Sequence, residues 1–242
     1  MTDVALKFAV EGSGKISGLL TAPRGAKACL VLAHGAGAGM RHPFLAAVAG
    51  GLAKRGVATL RYQFPYMERK SRRVDRPEVA HAAVRAAVAQ AAKKLPKAAL
   101  FAGGKSFGGR MTSQAQALAP LDGVRGLAFL GFPLHAPGKP SAERGEHLLA
   151  IALPMLFLQG SRDDFAKLAL LKPLVGRVGA TLRVFDDADH SFHVPKKSGR
   201  TDAQVMAEML DVLAGWIQAA TATGPERAGA PSPAAATHRR SA

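Results

Sequence analysis

The chain has 242 residues, 48% of them hydrophobic, enough to bury one substantial core in a single α/β domain. Its longest apolar run, residues 148–158, contains Pro154 and is too short to cross a bilayer, and no basic start with an apolar run behind it opens the chain, so a soluble, cytoplasmic protein without a membrane span is expected. The formal net charge is +16, but with two Tyr, one Trp and no zinc-ligand spacing, RNP-like strand or recognition-helix pattern, no nucleic-acid partner is expected and the charge reads as an Arg-rich surface.

In chain order, residues 6–10 and 16–21 alternate like strands. Residues 28–33 (ACLVLA) are a continuous apolar run, the mark of a strand covered on both faces. The run holds Cys29, the only cysteine, which rules out an internal disulfide and reads as a buried, inert thiol. A Gly-rich loop, HGAGAGM from His34, follows, then a helix starting near Pro43 and a strand over residues 58–62. After a loop over 63–77, residues 79–95 place Val79, Ala83, Ala87 and Ala91 on one helical stripe beside Val84 and Val88. Residues 98–103 (AALFAG) read as a buried strand and 110–118 as a helix. Strands are expected over 126–131, 155–160 and 181–185, and a helix from Phe165 for which Asp164 suits the cap. A helix over 201–220 repeats apolar residues at Val205, Met209, Val212, Leu213 and Trp216, with Asp202 at its positive end. From Thr221 on, Pro, Gly and Ala without periodicity predict a disordered tail, so the folded domain is expected to span 1–220. Strands alternating with helices give an α/β fold, a doubly wound and mostly parallel sheet. The interval 131–154 is too short for a large cap domain.

Four signals fall at the carboxyl ends of these strands, where open α/β sheets carry their sites. Gly104-Lys105-Ser106-Phe107-Gly108 is a G-x-S-x-G pattern between a strand and a helix. Such a corner is tight and strained and lifts the serine Oγ above the sheet edge, making Ser106 the candidate nucleophile. Acyl transfer needs two backbone N–H groups aimed at the developing oxyanion; Phe107 supplies one and the Gly-rich loop the other, through Ala36 or, alternatively, Gly37. Asp163, after the strand MLFLQ, is the candidate carboxylate to hold a histidine in the required tautomer. His190, in DHSFH after the strand TLRVF, is preferred as base over His193 because it comes first after the strand and Phe192 can anchor its loop. The chain order Ser106, Asp163, His190 is the one expected for this sheet.

With these residues in place, the chain resembles the α/β-hydrolase superfamily over residues 1 to about 220. HGAGAGMRHPF, QFPYMERKSRR, GGKSFGGRM, GFPLHAPGKP, LFLQGSRDDF and DHSFHVPKKSG further resemble a small, cap-less dienelactone-hydrolase-like branch. Some of its members are poorly characterised bacterial proteins, and others are eukaryotic subunits or homologues linked to chromatin-acetyltransferase complexes. The resemblance implies a Ser-His-Asp hydrolase, although dienelactone hydrolases themselves carry Cys where this chain has Ser106.

The expected reaction is acyl transfer on a small ester or related substrate, with no metal or organic cofactor required. Basic residues cluster in the loops at the site edge, which suggests an anionic substrate. Arg41, Lys105, Phe64 and His135 are the candidate substrate contacts. A binding or scaffold protein that keeps the fold without chemistry is the rival expectation.

Overall fold

The computed structural model describes residues 2–222. Within them, β1 (Val4–Val10), β2 (Gly14–Thr21), β3 (Ala28–Ala33), β4 (Val57–Tyr62), β5 (Ala99–Lys105), β6 (Val124–Leu130), β7 (Met155–Gly160) and β8 (Thr181–Phe185) form one sheet. The strand order is β1-β2-β4-β3-β5-β6-β7-β8. The β1–β2 and β2–β4 pairs are antiparallel, and every later pair is parallel. Every strand expected from the sequence is present, with ends moved by a few residues. β3, β4 and β7 are buried at each position, which is why their sequences show apolar runs rather than alternation. β1 lies at the sheet edge with one face in solvent, and its burial alternates.

Two layers of helix cover the sheet. On one face, α1 (Pro43–Lys54) buries Leu45, Val48 and Leu52. α6 (Asp202–Ala222), on the same face, buries Val205, Met209, Leu213 and Ile217. On the other lie α3 (Pro77–Lys94), α4 (Phe107–Leu118) and α5 (Leu168–Arg177), with a single turn, α2 (Pro65–Glu68), ahead of α3. Proline stands at the start of α1, α2 and α3, where its fixed φ suits the first turn and no N–H is lost. Between β6 and β7 the described chain forms a 3-10 segment, Glu143–Ala150, and no cap domain.

Two expectations need correction. The helix placed at Phe165 begins at Leu168, because the Asp163 carboxylate accepts the Phe165 N–H at 2.8 Å and holds these residues in a turn. Asp164, expected to cap that helix, is exposed and pairs instead with Lys167. The expected tail boundary also shifts: Thr221 and Ala222 continue α6, and the remainder lies outside the described residues.

The sheet is tightest beside β5. A Cβ on Gly103 would stand 1.8 Å from the Ala128 carbonyl oxygen on β6, a backbone atom that cannot move aside. Gly103→Ala is therefore expected to cost more than about 4 kcal/mol or abolish folding. Gly50→Ala, on α1 with nothing within 4 Å of the new methyl, should stabilise by about 0.5–1 kcal/mol. Denaturant melts of the two variants check both.

Candidate active site

The corner between β5 and α4 is built on a residue in an unfavourable conformation. Ser106 has φ 50° and ψ −118°, outside the regions that a side chain with a Cβ normally adopts. Glycines on either side make that turn possible. A Cβ on Gly104 would meet the Ala33 carbonyl oxygen at 2.5 Å, and one on Gly108 would meet the His34 carbonyl oxygen at 2.5 Å. The corner thus presses against the end of β3, as the G-x-S-x-G spacing implied.

Three side chains distant in sequence meet above this corner. His190 Nε2 lies 2.8 Å from Ser106 Oγ, and His190 Nδ1 lies 2.7 Å from Asp163 Oδ2. Asp163 is buried, and its other contacts are the Phe165 N–H and, at 2.5 Å, Gln159 Nε2. Gln159 Oε1 in turn accepts the Phe132 N–H at 2.9 Å, so its amide is fixed at both ends. The His190 ring is covered by Phe165, with ring centroids 4.3 Å apart. His193 takes no part: it is exposed and contacts Asp202 Oδ2 at 2.8 Å, near the start of α6.

The Gly-rich loop faces the serine. The Gly37 N–H donates to Tyr66 Oη at 2.9 Å, whereas the N–H groups of Ala36 and Phe107 have no acceptor among the described residues. Of the two alternatives in the loop, Ala36 is thus the one with a free amide. Tyr66 is itself tied down, its N–H donating to Asp75 Oδ2 at 2.9 Å while Arg69 pairs with Asp75 Oδ1. Gly35, Ala36, Ala38, His42, Phe44, Leu45, Lys105, Ser106, Phe165, His190 and Ser191 enclose a cleft of about 390 Å³.

Comparison with known proteins bears on the family and the fold. Residues 26–218 match a family profile described as an alpha/beta hydrolase domain. The chain belongs to the alpha/beta-hydrolase family. Its fold is similar to that of a dienelactone hydrolase from Anabaena variabilis, with 19% identity, 90% of this chain and 97% of that one covered, and a TM-score of 0.74. It is also similar to XC6422 from Xanthomonas campestris, described as a serine hydrolase without a lid, at 18% identity, 92% and 95% coverage and TM-score 0.66. Est1E from Butyrivibrio proteoclasticus matches at 18% identity, 87% and 99% coverage and TM-score 0.65. The absence of a cap between β6 and β7 agrees with the cap-less branch.

Of the four expected substrate contacts, the hydrolase places only Lys105 on the cleft. Phe64 is fully buried behind the Gly-rich loop, edge-on to His34 and Phe107 with centroids 4.9 and 5.4 Å away. His135 is buried too: its Nδ1 lies 2.9 Å from the Ala136 carbonyl and its Nε2 accepts the Lys167 N–H, so it braces the turn before α5. Arg41 is exposed, lies outside the cleft lining, and sits within electrostatic reach of Asp3 at the far edge of the sheet. Each follows a strand at the correct edge, but its side chain leaves the edge in another direction.

Sequence reasoning gave no role to the side chains of His34 and Gln159. Gln159 left a trace, since a polar residue within the apolar run MLFLQG must find a partner when buried. His34 Nε2 accepts the Phe64 N–H at 3.1 Å, so the ring proton is on Nδ1, which donates to the Gly35 carbonyl at 2.7 Å. The ring therefore pins the first residue of the Gly-rich loop. Burial pulls its pKa down to about 4. Between pH 6.5 and 4 the unfolded chain binds a proton at this residue that the folded chain refuses, so stability falls as pH is lowered through that window. The loss from His34 should be on the order of 3 kcal/mol. Denaturant melts from pH 7 to pH 4 should show it, with a shallower slope in His34→Asn.

Proposed function

We propose that the chain is a serine hydrolase that cleaves small carboxylic esters through an acyl-enzyme. As Ser106 Oγ attacks the carbonyl carbon, His190 Nε2 takes its proton and the carbonyl electron pair moves onto oxygen. The Ala36 and Phe107 N–H groups receive that oxyanion. Asp163 keeps the Nδ1 proton of His190 in place and offsets the charge of the imidazolium. Collapse of the tetrahedral species expels the alcohol, which takes the proton from His190, and water then repeats the sequence to release the acid. The observation that carries this reading is the chain of hydrogen bonds from Ser106 through His190 to Asp163, at 2.8 and 2.7 Å. Two unpaired amides beside the serine support it.

The cleft argues for a modest acyl group. Phe44, Leu45 and Phe165 give it apolar walls, and a volume of about 390 Å³ accommodates a short chain or a single ring. Labelling with a fluorophosphonate probe tests the chemistry: the wild type should label and Ser106→Ala should not. Ester turnover in Ser106→Ala should drop by at least ~10⁴-fold. A wild type that folds but never labels would leave a binding protein in place of an enzyme.

The preference for anionic esters rests on the long-range field rather than on a bound carboxylate. The chain carries +16, and Arg41, in the loop after β3, and Lys196 and Lys197, in the 3-10 turn Lys196–Ser198 after β8, stand exposed. An anionic ester should therefore show a kcat/KM that falls as ionic strength rises from 0.02 to about 0.3 M. A neutral ester of equal acyl length should show a flat response, and two identical salt profiles would remove the preference.

A further inference from the structure

Lys105 is the last residue of β5, directly before Ser106, so the sheet fixes its backbone. Its side chain runs beneath the loop that carries His190, and its Nζ donates to the His190 carbonyl oxygen at 2.6 Å. Space for that contact comes from Gly131, where a Cβ would stand 3.0 Å from Lys105 Nζ and 3.4 Å from His190 Nδ1. The Phe192 ring lies on another side, its centroid 5.8 Å from Nζ. His190 is thus gripped at three points. Lys105 holds its main chain, Ser106 its Nε2 and Asp163 its Nδ1, and two of those grips come from consecutive residues, the last of β5 and the one at the corner after it.

We infer that Lys105 is a positioning residue of the reaction proposed above, on which this inference rests: its ammonium latches the His190 loop at the height the Ser106 hydroxyl requires. The titratable groups facing it are the carboxylates of Asp163 and Asp189, the His190 ring and, across the cleft, His42. In the resting site two carboxylates face one ammonium. When His190 takes the Ser106 proton, a second cation joins them and the group becomes balanced. The latch therefore adds a cation without leaving the imidazolium short of counter-charge.

Desolvation pulls the Lys105 pKa down to about 8, against the upward pull of Asp163 and Asp189. Above that pH the amine still donates a hydrogen bond, but one about half as strong as a charge-assisted bond. The latch should consequently loosen with an alkaline limb in kcat near pH 8.

The test compares full-length wild type, Lys105→Met and Lys105→Arg, using neutral and anionic p-nitrophenyl esters of equal acyl length from pH 6 to 10. Hydrogen exchange of residues 186–194 is followed in parallel. Lys105→Met should lower kcat about 10–100-fold for both esters with little change in KM, and should speed exchange in that segment. Lys105→Arg, which stays charged, should retain more of the rate and lose the alkaline limb. A defect confined to KM for the anionic ester would overturn the inference and make Lys105 a substrate contact. Unchanged exchange in Lys105→Met would overturn it as well. If neither variant folds, the wild type decides alone. Its segment 186–194, corrected for intrinsic rates, should exchange faster at pH 9.5 than at pH 7, and equal protection would refute the latch. The exchange arm needs no turnover, so a failure of the hydrolase reading would register separately, as an unlabelled Ser106.

Discussion

Ser106 holds a backbone conformation that costs on the order of 1–3 kcal/mol, and the rest of the site is arranged around keeping it there. The strain persists because the turn is clamped from both sides. β5 enters hydrogen-bonded to β3 and β6, the Ser106 N–H donates to the Leu130 carbonyl, and α4 leaves with the Arg110 N–H on the Ser106 carbonyl. Relaxing the turn would require breaking a parallel sheet at its centre. Gly104 and Gly108 let the clamp close, since any Cβ at either position would strike backbone oxygen at the end of β3. That contact also fixes the Gly-rich loop relative to the serine.

The neighbouring loops are secured by buried polar groups whose partners are all accounted for. His34 pins Gly35 and Phe64, Tyr66 holds Gly37, and Gln159 links Asp163 to Phe132. A buried polar group left without a partner costs about 1–3 kcal/mol, so each link resists displacement. Lys105 belongs with these, since its ammonium ties the last loop to the central strand. The site is therefore held as one body on the C-terminal edges of β3, β5, β7 and β8. This rigidity suits chemistry that depends on hydrogen bonds of 2.7–2.8 Å between groups from three loops.

The misplaced substrate contacts share one cause. Phe64, His135 and Arg41 follow strands at the correct edge, and position along a strand sets which edge a residue occupies. It does not set where the following loop turns. Phe64 turned inward because His34, Tyr62, Tyr66 and Phe107 formed an aromatic pocket for it. His135 turned inward because the chain before α5 needed an acceptor for the Lys167 N–H. Asp163 took over the turn-forming contact expected of Asp164 because its buried carboxylate could reach the Phe165 N–H while still holding His190.

Local rules in the sequence determined the strand and helix alternation and the cap-less sheet, and they singled out Ser106, Asp163 and His190, whose side chains the fold brings into contact. Apolar runs, G-x-S-x-G spacing and the chain order of the three residues all act over short distances or through the topology of a parallel sheet. Tertiary structure alone tied the Gly37 amide to Tyr66 and left that of Ala36 free, set Gln159 and His34 as braces of the neighbouring loops, and sent Lys105 to the His190 carbonyl. Those outcomes depend on which hydrogen-bond partner lies within about 3 Å once β3, β5, β6 and the final loop are packed. Residues 105 and 190 meet only because the sheet brings together segments that lie 85 positions apart along the chain.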